Sequence, residues 1–210
     1  MAYHSRNDKN MIRITERTTE SSAELCDLLH RAHEPLRKQG LDYGTGHISE
    51  SDMRKKLNAD AICYVAYDED KLVGMEVCSF ITINKWFHKG QTAYFELIGV
   101  LPEYQGAHIG RALRDQCIKC AKEHGSKTIY SIAAEDNKPI GALYSQLGFK
   151  IVGYGAGKTN NFYSVLYMKW FGDCPYSDTY IKFRFLLDRL AHRIIYLPGG
   201  NIRFFGGRQE

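Results

Sequence analysis

No stretch of this chain offers roughly 18 consecutive uncharged apolar residues, the length that a bilayer-spanning helix needs. Its opening residues, MAYHSRNDKN, contain no apolar signal core. Those two absences leave a soluble cytoplasmic protein as the expectation. Charge of one sign is also scarce: 28 Lys and Arg against 24 Asp and Glu leave +4, too mild a surplus to point to nucleic acid. The six cysteines (26, 63, 78, 117, 120 and 174) show no second pair at zinc spacing beside the C-x-x-C of Cys117 and Cys120. We therefore expect reduced, mostly buried thiols and no metal. Internal repeats and low-complexity segments are absent, and no acidic cluster marks a polycation site.

What is present is an ordinary globular composition, 44% apolar and 25% charged over 210 residues, enough for one well-filled core. Residues 1–10 are polar and read as a flexible tail. MIRITERT (11–18) alternates like a strand. Ala23, Leu25, Leu28, Leu29, Ala32 and Leu36 recur at helical spacing, and Gly40 stops that helix. Ser49 or Ser51 caps a short helix through Leu57. AICYVAY, DEDK and LVGMEVCSFITI read as a hairpin, NKWFHKGQ as a longer loop, and TAYFELIGVL as a further strand. A helix from about Gly110 to Glu123, a strand SKTIYSIAA, a short helix from Lys138 to Gln146 and two closing strands follow. This order predicts an α/β (α+β) fold with a mixed, mostly antiparallel central sheet flanked by helices. The domain spans 11–170, and 171–210 form a C-terminal amphipathic helical extension.

The break in the pattern is PEYQGAHIGRAL (102–113), where a strand passes through two glycines into a helix. It matches neither G-x-x-x-x-G-K-[ST] nor G-x-G-x-x-G. Such a junction can present free amides to an anion or can be a plain tight turn. Its surroundings carry more: V-x-P-x-Y-Q-x-x-x-x-G-R-A-L after an apolar strand, Asn137 seven residues before Tyr144, and LYSQLGF ending the short helix. In this order they resemble the GNAT superfamily of N-acetyltransferases, strongly from Glu96 to about Gly153 and loosely from Met11 to Trp170.

The resemblance implies acetyl-CoA as cosubstrate. Gln105 and Gly110 fill the first and last places of the family's turn, and His108 stands where its first glycine is usual. Amides of Gly106, Ala107, His108, Ile109, Gly110 and Arg111 would hold the diphosphate of CoA. The backbone of Ile98, Gly99 and Val100 would pair with the pantetheine arm, Asn137 would bind the pantetheine end, and Tyr144 would lie beside the sulfur. His108 is expected to adopt φ near −60° and to point its side chain outward; the other reading has it contact a phosphate of CoA. Glu96, the lone acid of its apolar strand, is the expected base; the other reading is an ion pair or a solvent-facing acid. Tyr144 would support the departing thiolate, the other reading being a core aromatic with its hydroxyl satisfied, and the Val100 amide would face the oxyanion. For the acceptor, loop residues Tyr43, His47, Lys158 and Asn160 are candidates, with Trp86, Phe87 and His88 as a wall.

Near the C-terminus, Phe183, Leu186, Leu187, Leu190, Ile194 and Leu197 share one helical stripe with cations mostly elsewhere. The stripe packs on its own core or in a homodimer, or else makes a peripheral membrane contact through 178–197. The expected function is acetyl transfer from acetyl-CoA to a primary amine of a small molecule (amino sugar, amino acid or antibiotic-like), by direct attack. Protein or peptide N-acetylation is the alternative, and a non-catalytic CoA-binding or sensing module is the alternative of another class.

Overall fold

The computed structural model describes residues 3–7, 10–156 and 161–195. Eight strands form one sheet in the spatial order β1-β2-β3-β4-β5-β6-β8-β7. They are β1 (Tyr3–Asn7), β2 (Asn10–Glu16), β3 (Ala61–Asp68), β4 (Lys71–Lys85), β5 (His88–Val100), β6 (Thr128–Ala134), β7 (Lys150–Ala156) and β8 (Tyr163–Trp170). Among the described residues only β5 and β6 run parallel; the other neighbouring pairs are antiparallel. The helices are α1 (Ser22–Lys38), α2 (Glu50–Leu57), α3 (Ile109–Glu123), α4 (Lys138–Gln146) and α5 (Asp178–Ile195). The mixed, mostly antiparallel sheet with helices around it is the architecture the sequence predicts.

Local chemistry explains the boundaries. Ser21 and Glu24 cap each other's backbone at the start of α1, and Ser49 accepts from the Asp52 amide at the start of α2. Helix α1 lies hard against β5, because Gly99 offers no side chain there. A Cβ at that position would stand 2.8 Å from Leu29 Cδ2 and 3.1 Å from Ala32 Cβ. Helix α3, the crossover between the parallel strands β5 and β6, contributes Ile109, Ala112 and Leu113 to one core cluster and Cys117, Cys120 and Ala121 to another. All six cysteines are free thiols; five are buried and Cys174 is partly so.

Three expectations change. Tyr3–Asn7 is not a frayed tail but strand β1, paired with β2 from Tyr3↔Ile14 to Asn7↔Asn10. The segment NKWFHKGQ is not a long loop: the β4–β5 ladder continues to Lys85↔His88, leaving only Trp86 and Phe87 to turn. The Trp86 ring is held at that tip by Tyr176 and Tyr180, with centroids 5.5 and 5.6 Å away. Finally, α5 lies along β7 with the predicted stripe facing away from the core. Ile181 is buried and Phe185 meets Tyr154, whereas Phe183, Leu186, Leu187, Leu190 and Ile194 are exposed. Leu197 lies outside the described residues. One flank of the helix is tied down by charge: Arg189 and Arg193 each reach the Glu135 carboxylate at 2.7 Å.

Candidate active site

Strands β5 and β6 share a ladder only from Ala93↔Ile129 to Phe95↔Ser131. Beyond Phe95, β5 bulges: Leu97 and Ile98 together oppose Glu76 alone, between the pairs Val77↔Glu96 and Met75↔Gly99, and Leu97 takes φ 53°. A bulge bends its strand and increases its twist. Here it leaves the β6-facing edge of residues 96–100 unpaired. The Leu101 amide donates to Val73 of β4 at 2.9 Å. Successive amides of a strand point to opposite edges, so the Val100 amide points into the opening. The Val100 carbonyl, on that same side, accepts from Gln105 Nε2 at 3.0 Å. The opening is a cleft of about 560 Å³ that reaches from the start of α3 to the start of α4.

The start of α3 forms one end of this cleft. Its first three amides, on Ile109, Gly110 and Arg111, have no helical carbonyl behind them. His108 supplies no side-chain cap, and the first helical bond runs from the Ala112 amide to the His108 carbonyl at 3.0 Å. Gly106 (φ 85°) and His108 (φ 60°, ψ 9°) both sit in the left-handed region. The expectation of φ near −60° at His108 is thus wrong, because the residue precedes the helix instead of opening it. The conformation costs a side-chain-bearing residue about 1 kcal/mol, although His tolerates it better than most. His108 is exposed at the cleft's lip. The Ala107 side chain packs against the core cluster, which leaves its expected role, through the backbone amide, untouched.

Tyr144 forms the far wall, 1% exposed. Its hydroxyl oxygen accepts from Arg114 Nη1 at 2.7 Å and lies 2.5 Å from Ser131 Oγ, which donates to the Phe95 carbonyl at 2.9 Å. Since the Ser131 proton is spent on Phe95, the tyrosine proton is directed at Ser131. Arg114 is itself buried, with Nη2 2.7 Å from Glu76 Oε1. Burial pushes the Glu76 carboxyl up, to about 7, against the pull of Arg114. This Glu76–Arg114–Tyr144–Ser131 chain was missed in the sequence.

Glu96 lines the cleft with its side chain 10% exposed, and both carboxylate oxygens are engaged. Oε1 accepts from Ser79 Oγ at 2.6 Å and Oε2 meets Lys56 Nζ at 2.5 Å. Asn137 lines the cleft as well. Its Oδ1 caps α4 through the Ile140 amide at 3.4 Å, and its Nδ2 donates to the Tyr43 hydroxyl at 3.1 Å. Tyr43, which also accepts from the Ala134 amide at 3.0 Å, divides the cleft from a neighbouring cavity of about 290 Å³. That second cavity is walled by Tyr94, Leu97, Ile132, Phe162, Thr45 and Ser164, and by no charged side chain among the described residues.

Of the expected acceptor residues that are described, Tyr43 alone lines this site. His47 is turned to Asp42 at 2.6 Å, and Trp86 is at the distant hairpin tip, where Phe87 is buried in a separate cluster and His88 meets the Gln91 carbonyl at 3.1 Å. Lys158 and Asn160 lie outside the described residues. Among the described residues no group of His, Cys, Asp or Glu could hold a metal, and no helix is long and apolar enough to cross a membrane.

Residues 23–149 match the model of the acetyltransferase (GNAT) family. Solved structures of similar fold include the ribosomal-protein-S18-alanine N-acetyltransferase of Escherichia coli, 18% identical, which spans 80% of this chain and 100% of its own with TM-score 0.58. Arabidopsis thaliana NAA60 in complex with a bisubstrate analogue is 18% identical over 76% of this chain and 99% of its own, with TM-score 0.56. A GNAT family acetyltransferase from Elizabethkingia anophelis with acetyl-CoA bound is 19% identical over 78% and 99%, with TM-score 0.55.

Proposed function

The chain belongs to the GNAT acetyltransferase family and is an acetyl-CoA-dependent acyltransferase; from that premise we propose that it acetylates a primary amine of a small molecule by direct attack, without a covalent enzyme intermediate. The observation that carries the acceptor class is the small cavity of about 290 Å³ beside Tyr43, walled by aromatic rings, aliphatic side chains and hydroxyl groups. Residues 11–170 are assigned to the catalytic domain and 171–210 to an extension.

The free amides from Gly106 to Arg111 suit a diphosphate, helped by the α3 dipole. The open edge of Ile98, Gly99 and Val100 offers backbone partners to the amides of a pantetheine arm. Asn137 keeps one lone pair and one amide hydrogen for that arm's end after its two internal bonds. The Val100 N–H then donates to the oxyanion that forms at the thioester carbonyl. Glu96 receives the amine's proton once the Lys56 contact yields to the acceptor or to water; Lys56 is 44% exposed and can swing away. As the carbon–sulfur bond breaks, Tyr144 turns its proton from Ser131 to the thiolate. From a phenol to a thiol that transfer is uphill by about 2 kcal/mol at unperturbed values. Tyr144 therefore supports the leaving thiolate by a hydrogen bond, while Arg114 Nη1 holds the tyrosine oxygen at 2.7 Å.

Thiol release from acetyl-CoA over a panel of amino sugars, amino acids and peptides tests this. The expected result is turnover with a small amine. Glu96→Gln should lower kcat by about 10²–10³-fold. Tyr144→Phe should lower it by about tenfold or more with little change in KM for acetyl-CoA. Binding of acetyl-CoA with no release on any amine would make the chain a CoA-binding module, and turnover confined to peptides would overturn the acceptor class.

A further inference from the structure

Nine large apolar side chains are exposed among the described residues, and seven of them lie on α5. Phe183, Leu186, Leu187, Leu190 and Ile194, between 42% and 60% exposed, fall on one outward arc of the helix, opposite the face that meets β7. About half of each is open, so the arc amounts to something on the order of 600 Å², the upper end of what a monomer shows in one patch. Its borders carry cations by helical position: Lys182, Arg189 and Arg193 on one side, the last two sharing the single carboxylate of Glu135, and Arg184 on the other, 5.2 Å over the Trp86 ring. The acids are turned away or taken: Asp188 Oδ2 points towards β7, 3.5 Å from where a Cβ on Gly153 would stand; Asp178 is bound by Lys150 at 2.6 Å; and Glu135 is recessed between Arg189 and Arg193.

We propose that α5 seats the protein on an anionic phospholipid bilayer, with the arc at the acyl boundary and the bordering cations among the headgroup phosphates. The contact is peripheral, since α5 is too charged and too short on apolar residues to cross. A second copy of the chain fits the face less well. Two such helices packed together bury on the order of 1,000 Å² in total, the floor for a specific interface. A two-fold antiparallel pair would also set the Lys182–Arg189–Arg193 border against its own copy. The sequence that follows α5, YLPGGNIRFFGGRQE, continues the same mixture of apolar and basic residues.

Co-sedimentation of the full chain with phosphatidylcholine vesicles, with and without phosphatidylglycerol, tests the proposal, with light scattering for mass. The expected result is a monomer that partitions onto the phosphatidylglycerol vesicles by about tenfold or more over the neutral ones. Leu186→Asp with Leu190→Asp should abolish this and leave the melting temperature and acetyl-CoA binding unchanged. Equal binding to neutral vesicles, no binding to either, or a dimer that the double variant splits would each overturn it.

Discussion

Helix α3 buries seven of its fifteen residues, whereas α5, with eighteen, buries only Ile181. Both repeat apolar side chains at helical spacing with cations interspersed, so periodicity alone does not separate them. Their places in the topology do. A crossover between parallel strands must lie on the sheet it connects, so the apolar stripe of α3 faces inward and even its Arg114 is buried. Helix α5 follows the last strand and is bound to no such path. It is held at the sheet's edge by Ile181, Phe185 and the Glu135 ion pairs, which leaves the broader apolar arc outward. An apolar stripe therefore says that a face seeks cover, and the connectivity says whether this chain supplies it.

Substitutions on the α3 side should be costly and those on the α5 arc nearly silent for folding. Arg114→Leu leaves Glu76 buried and unpaired and should destabilise by about 3–5 kcal/mol in urea unfolding, with most of the loss recovered in the double variant Glu76→Leu/Arg114→Leu. A mild effect of the single change would erase the contrast between the helices. Next in size is a pH effect. The folded state holds the Glu76 proton up to about 7, above the usual 4.5. It therefore binds more protons than the unfolded chain between those values, and stability should fall as pH rises through that window. Glu76→Gln should flatten the dependence; an unchanged slope would assign it to another group. Smaller again, His108→Gly relieves the left-handed backbone at the mouth of α3 and should add about 1 kcal/mol to stability. Smallest is the Leu186→Asp/Leu190→Asp change, within about 0.5 kcal/mol for stability because both side chains already face solvent.

Much of the site could be read from the residues. The turn at 102–111, Asn137 and Tyr144 stand together around one cleft because β–α–β order fixes their places along the chain. Other parts were hidden for definite reasons. Gly90 and its polar neighbours look like a loop, yet the ladder to Lys85↔His88 is made by backbone and is indifferent to their side chains. That ladder carries Trp86 away from the cleft. The bulge at Leu97 left no mark in the composition of an apolar run. Glu76 and Arg114 did leave one. Glu76 interrupts the apolar strand LVGMEVC just as Glu96 interrupts YFELIGV, and Arg114 stands three residues before Cys117 and seven before Ala121, on the buried stripe. A charge inside an apolar pattern has a partner to be found, and each of these is the other's.

A crystal structure with CoA bound examines the cleft most directly. The diphosphate should lie within hydrogen-bonding distance of the amides between Gly106 and Arg111, the pantetheine along Ile98–Val100, and the sulfur beside the Tyr144 hydroxyl with Glu96 facing the acetyl position. Coenzyme settled elsewhere, or a sulfur out of reach of Tyr144, would contradict the assignment of this cleft to acetyl transfer.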